Sequence, residues 1–205
     1  MASKIKQAIA IALATLIGAG VAFGQDTTTQ QTTSGNGSAL SLGEEVVDGV
    51  QVGTTYVREE FDDWALRCVR TADKKDPCQL YQLMKDDQGN SVAEISIFPL
   101  PNSEPAIAGA TVATPLETLL TEQLTLSVDN ASAKRYPFSY CTVQGCYSRI
   151  GLTEEDISAF KHGSEAVLAI VPVAAPDKKV GLTLSLKGFT KGYEAVEAAN
   201  LAINQ

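Results

Sequence analysis

Large apolar residues alternate with polar or small ones along several short stretches of this 205-residue chain. Leu124, Leu126 and Val128 alternate with Thr125 and Ser127. Val180, Leu182, Leu184 and Leu186 alternate with Gly181, Thr183 and Ser185. A period of two sends the two sets to opposite faces, so both stretches read as strands with one wet face. Ala166 to Val171 is continuously apolar with Pro172 beyond it, which suits a strand buried on both faces or a sandwich core. Further strands are expected at 54–60, 64–70, 78–85 and 92–98, with Asp86-Asp87-Gln88-Gly89-Asn90 as the hairpin turn between the last two. The pattern amounts to about nine strands. Two short helices complete it. Thr153 caps the first, Glu154, Glu155 and Asp156 occupy its positive end, Ile157 and Phe160 share one side, and Lys161, His162 and Gly163 close it. In the second, Phe189, Tyr193 and Val196 fall at helical spacing, with Thr190 as candidate cap and Gly192 weakening the first turn. Many short strands with two small helices predict an all-β sandwich of two antiparallel sheets over 54–198, followed by a short tail at 199–205; a closed barrel is the alternative. Gly188 supplies the change of direction after the last strand, and Phe189 is expected to anchor the terminal helix to the sandwich.

The chain's beginning is patterned differently. Lys4 and Lys6 precede an apolar run from Ala8 to Ala22, and Ala22-Phe23-Gly24 offers small residues at a peptidase site. This is the layout of a secretory signal at 1–24, cleaved after Gly24, with an apolar run short of the roughly 20 residues that span a bilayer. No cysteine lies near that site, which argues against a lipid anchor. From 25 to 53 the residues are chiefly Thr, Gln, Ser, Gly and Asn, too polar to offset the entropy of ordering, so a disordered linker is expected.

Charge narrows the partners. Lys and Arg number 16 against 24 Asp and Glu, a net charge of −8, and losing Lys4 and Lys6 with the signal takes it to −10. Nucleic acids and anionic membranes, which bind basic patches, are therefore not expected as partners. A single histidine, His162, excludes multi-His metal sites. Glu59, Glu60, Asp62 and Asp63 could hold Ca²⁺ or act as glycosidase carboxylates, but neighbouring strand residues face opposite ways, so a solvated acidic edge is the reading. Asp86, Asp87 and Asn90 resemble part of a calcium loop without its closing acidic ligand, and read as a turn. His162 sits at a helix end rather than in a Ser-His-Asp constellation. Trp64, the only tryptophan, reads as core rather than as a ligand platform. No catalytic residue, metal ligand or cofactor is expected.

Four cysteines, Cys68, Cys78, Cys141 and Cys146, lie inside the domain of an exported chain, and should be paired. Of three connectivities, Cys68–Cys78 with Cys141–Cys146 is favoured, because each pair brackets a short stretch with turn formers. The runner-up joins Cys68 to Cys141 or Cys146 across the sheets. Without a C-x-x-C, a thiol redox centre is not expected.

The ordered combination Trp64-x-x-x-Cys68, Cys78-x-x-x-Gln82, Pro137-Phe138-x-x-Cys141-x-x-x-Gly145-Cys146 and Leu184-x-Leu186-x-Gly188-Phe189 resembles the invasion-associated locus B family, from about Asp62 to Val196. The resemblance implies an exported bacterial protein, periplasmic or surface-associated, with an immunoglobulin-like β-sandwich and no established catalytic activity. Between Glu104-Pro105 and Thr114-Pro115 the chain departs from the family's pattern, so partner contacts made at that edge by other members are not carried over. The function expected is a non-catalytic binding module whose partner is a protein of the cell envelope or surface, without membrane insertion after signal cleavage. Two alternatives are a structural envelope component within a membrane complex and a carboxylate-dependent periplasmic hydrolase, the latter requiring a pocket of converging acidic side chains.

Overall fold

The structure, a computed structural model, describes residues 51–86 and 88–203. The expected signal peptide at 1–24, nearly all of the expected linker, and Asp87 lie outside the described residues. Eleven strands and two helices follow one another as β1 (Thr55–Phe61), β2 (Trp64–Val69), β3 (Cys78–Lys85), β4 (Ser91–Pro99), β5 (Ala108–Thr114), β6 (Leu124–Val128), β7 (Lys134–Tyr136), β8 (Phe138–Thr142), β9 (Gly145–Leu152), α1 (Glu154–His162), β10 (Glu165–Ile170), β11 (Val180–Ser185) and α2 (Phe189–Ile203). They form a seven-stranded sheet ordered β1-β2-β3-β4-β5-β9-β8 and a four-stranded sheet ordered β11-β10-β6-β7. Every pairing is antiparallel. The expectation of an all-β sandwich of two antiparallel sheets with two helices holds, and the strands exceed the nine expected: β5, β7, β8 and β9 lie outside every range assigned from the pattern.

Alternation builds the core. In β2, Trp64, Leu66 and Cys68 are buried while Ala65, Arg67 and Val69 are half-buried on the outer side. Leu80 and Met84 of β3, Ile95 and Ile97 of β4, and Ile150 and Leu152 of β9 continue the inward face. Leu124 and Leu126 of β6, Ala166 and Leu168 of β10, and Leu182 and Leu184 of β11 meet them from the smaller sheet in one cluster. At ~1.5–3 kcal/mol for each fully buried large side chain, this shared layer is the main force holding the sheets together.

Helix α2 covers the β1–β4 part of the large sheet. Its first turn begins at Phe189, and the expected Thr190 cap is not used: the Thr190 hydroxyl instead donates to the Lys161 carbonyl, 3.1 Å away. Gly188, at φ 85°, makes the turn, and a Cβ there would lie 2.0 Å from the Phe61 carbonyl oxygen. Gly192 is an inward-facing contact as well as a weak helix former, since a Cβ would come within 2.6 Å of Leu80. The helix runs through 199–203, and the Asn200 side chain accepts from the Cys78 N–H at 3.0 Å and donates to its carbonyl at 2.9 Å. Helix α1 has a capping box in which Thr153 and Asp156 satisfy each other's backbone N–H groups.

Candidate functional site

Most of the described residues singled out for chemistry are engaged in holding the chain, and Glu59 and Glu60 do not converge. Glu59 pairs with Leu66 and Glu60 with Ala65, so the adjacent carboxylates leave β1 on opposite faces. Asp62, at φ 52° in the β1–β2 turn, makes an ion pair with Lys187 at 3.2 Å, and Asp63 accepts from the Ser185 hydroxyl at 2.6 Å. Together they tie that turn to the β11–α2 junction. Asp86 accepts from the Gln88 and Asn90 backbones and from the Asn90 amide, at 2.8 to 2.9 Å. The Asn90 side chain first, then these backbone donors, hold its carboxyl below the usual range. The exposed ring of His162 meets the Ser158 carbonyl through Nδ1 at 2.8 Å, while the Ser158 hydroxyl lies 3.5 Å from the same nitrogen. A Ser-His-acid triad needs the serine and the acid at opposite ring nitrogens, and this pair is a contact between successive helical turns. Among the described residues no three His, Cys, Asp or Glu side chains gather as metal ligands.

Trp64 and Phe189 form the centre of an aromatic cluster. The Trp64 and Phe189 rings meet edge to face at 5.2 Å, Phe160 meets Phe189 at 5.3 Å, and Tyr193 stacks on Phe189 at 5.6 Å. The Trp64 indole N–H donates to the Ser185 carbonyl at 2.9 Å. Gln82, nearly buried in β3, donates to the same carbonyl at 2.9 Å and accepts from the Ser185 N–H at 2.9 Å. One side-chain amide thereby completes a backbone edge of the opposite sheet, the counterpart of a missing strand. The sequence offered no direct sign of this bond, because its two ends are remote in the chain.

What remains open is the outer face of the large sheet near β8. The register Leu83↔Glu94, Glu94↔Ala113, Ala113↔Tyr147 and Tyr147↔Tyr140 is a single cross-strand row over β3, β4, β5, β9 and β8. Four steps of ~4.8 Å make it about 19 Å long. Leu83 is 39% exposed, Tyr140 49%, and Val143 at the hairpin tip 89%. Tyr140 and Tyr147 stack with centroids 5.0 Å apart. Ala113 leaves room for a groove of about 350 Å³, bordered by Leu83, Glu94, Gln144 and Tyr147. Beside it on the same face the Tyr81 hydroxyl donates to Glu94 at 2.9 Å, and the Arg67 guanidinium stacks on the Tyr81 ring at 3.2 Å.

The β8–β9 hairpin is braced on one side only. Cys141 and Cys146 face each other and are bonded, as are Cys68 and Cys78 on β2 and β3. Both pairings are those favoured from the sequence, and no described cysteine is free. A Cβ on Gly145 would lie 2.5 Å from the Thr114 carbonyl oxygen, so glycine permits β9 to start against the end of β5. Thr114 also donates to the Cys146 carbonyl at 3.2 Å, and Thr118 to that of Pro115 at 2.7 Å. The Thr114-Pro115 segment is thus the buttress of this hairpin.

The architecture and the two cross-strand disulfides define a stapled β-sandwich closed by a C-terminal helix. A family model described as invasion associated locus B (IalB) protein matches residues 64–197, and the chain belongs to that family. The matched span opens at Trp64 and includes both disulfides, Gln82, Gly188 and Phe189. Among solved structures, the crystal structure of invasion associated protein B from Bartonella henselae is similar with a TM-score of 0.59. It shares 20% identity, and the match covers 68% of this chain and 95% of that one. At that identity the likeness is one of fold. No curated protein matches the chain.

Proposed function

We propose that the protein is an exported, non-catalytic interaction module of the bacterial cell envelope, residing in the periplasm or on the surface. Its contact region is the free β8 edge with the Leu83–Tyr140 row. The observation that carries this reading is that row: exposed aromatic and aliphatic side chains on a rigid sheet, next to a strand with unpaired backbone groups. Asp62, Asp63, Asp86 and His162 are occupied with turns, a helix end and the Asp62–Lys187 ion pair, and Glu59 and Glu60 leave β1 on opposite faces. Two disulfides and membership of the family support a location outside the cytoplasm, where such bonds persist. No described helix is long and apolar enough to cross a membrane. The partner is a protein, since both an open strand edge and stacked tyrosines suit peptide and side-chain contacts.

Photo-crosslinking in intact cells tests the proposal. A benzophenone amino acid at position 140 or 143 should give one discrete protein adduct, whereas at Arg135 on β7 it should give none. Adducts of equal strength from all three positions, or from none, would overturn the assignment of this edge.

A further inference from the structure

We propose that Cys141–Cys146 is a site of thiol exchange in the folded protein, with Cys141 Sγ as the atom attacked, while Cys68–Cys78 is closed to it. Exchange at Cys141 does not require that β8 bind a partner. Both bonds have the same local setting: each joins directly opposed residues of neighbouring antiparallel strands, with Cα atoms 4.0 Å apart. What differs is what lies beyond each sulfur. A thiolate attacks a disulfide sulfur from the side opposite the leaving sulfur, so access along that line decides whether exchange can proceed. Beyond Cys141 there is no further strand, because β8 ends the seven-stranded sheet, and Cys141 is exposed. Beyond Cys146 lies β5, through the pair Thr114↔Cys146, and Cys146 is only 1% exposed. Beyond Cys68 lies Tyr56 of β1. Cys78 stands just before the β3–β4 pairing, which begins at Leu80, and borders a cavity it shares with Pro99 and Asn200, but Cys68 and Cys78 are only 0% and 4% exposed. Cys141 is therefore the one cysteine of the four that is exposed and has no strand beyond it. Burial slows the departure of Cys146 as thiolate, but at Cys68–Cys78 both residues are buried, so attack there waits on local opening.

The chemical class of the reactant is a small or protein-borne dithiol. Its thiolate bonds to Cys141 Sγ, the Cys141–Cys146 bond breaks, and Cys146 leaves with the electron pair and takes up a proton. The reactant's second thiolate then attacks its own bonded sulfur, closing an intramolecular disulfide and releasing Cys141 as thiolate, which is protonated in turn. The dithiol is oxidised by two electrons and the hairpin reduced by two. The sandwich survives this, since β9 stays paired to β5 over seven residues and the Cys68–Cys78 bond is intact. Only the attachment of β8 is loosened, where the Tyr140–Tyr147 stack and the Ser148 hydroxyl on the Pro137 carbonyl, at 2.9 Å, remain.

The test is a time course of the purified domain in dithiothreitol without denaturant, quenched with acid, alkylated and mapped by mass spectrometry. Cys141 and Cys146 should be alkylated on the order of tenfold faster or more than Cys68 and Cys78, at times when the far- and near-ultraviolet circular dichroism is unchanged. Loss of both bonds at one rate, or of Cys68–Cys78 first, would overturn the proposal. A second measurement identifies the attacked sulfur. Brief treatment with excess reduced glutathione and immediate trapping should give the mixed disulfide on Cys141. Its appearance on Cys146 would contradict the assigned direction of attack.

Discussion

The amide of Gln82 bonds both backbone groups of Ser185, 103 positions away, and the Trp64 indole shares the carbonyl. Removing the amide leaves the half-buried Ser185 N–H without its partner, whereas the carbonyl keeps Trp64. Gln82→Met, similar in volume, should therefore cost about 1–3 kcal/mol, the penalty of an orphaned donor, as measured by urea denaturation. A loss below about 0.5 kcal/mol would mean that water reaches Ser185 and the amide bridges nothing. Tyr193 presents the opposite case. Its hydroxyl is buried without a hydrogen-bond partner, and burial, with the nearby Glu197 charge, pushes its pKa from 10.0 up to about 12. Because the unfolded chain gives up this proton first, the associated stability is fully present below pH 10 and is lost as pH rises toward 12. Tyr193→Phe removes both the unmet hydroxyl and this titration. At neutral pH the variant should match the parent or gain up to about 1 kcal/mol. Between pH 10 and 12 its stability should fall less steeply than the parent's, measured as the difference between two denaturation series. Tyr56, Tyr81 and Tyr136, whose pKa values are also raised, contribute equally to both.

Elements differ in how locally their determinants are written. Helix α1 is legible residue by residue, since its cap, acidic first turn and closing Lys161, His162 and Gly163 are contiguous. Thr153→Ala should accordingly cost about 1 kcal/mol. Helix α2 is legible in its Phe189, Tyr193, Val196 stripe, but its start is set by Gly188 against Phe61, a tertiary contact no local pattern encodes. Strands announce themselves where large and polar residues alternate, as in β6 and β11. In β5 the inward Ala108 and Ala110 differ little in size from the outward Gly109 and Ala113, so the contrast that marks a strand is missing. In β9, Ser148 is fully buried to reach Pro137, and β8 is exposed almost throughout, which hides both. The open row at Leu83, Ala113, Tyr147 and Tyr140 went unread for that reason, as three of its five strands carry weak patterns or depend on them for register. Phe189 touches Trp64, Phe160 and Tyr193 at once. Phe189→Ala should cost roughly 3–5 kcal/mol, and a melting point within about 2 °C of the parent would show that α2 stands outside the core.

At the scale of the whole molecule, oxidation and stability depend on each other, and the expected export links them to the leader. The two disulfides close loops whose ends are 10 and 5 residues apart. In the loop-entropy account each contributes roughly 2–3 kcal/mol, against a usual domain stability of about 5–15 kcal/mol. The bonds form only where thiols are oxidised, so a chain kept in a reducing cytoplasm would lack both contributions. Read as a secretory signal, the Lys4 and Lys6 pair, the apolar run and the Ala22-Phe23-Gly24 site would carry the chain to an oxidising compartment. The protein recovered from the envelope fraction should therefore begin near Gln25 and carry no free thiol, with an intact mass lower by four hydrogens than the reduced chain. The same sequence expressed without residues 1–24 in a reducing cytoplasm should yield four alkylatable thiols and a lower melting point, raised on oxidation. An envelope product that retains Met1, or a reduced product as stable as the oxidised one, would break the link between the leader and the fold it is expected to serve.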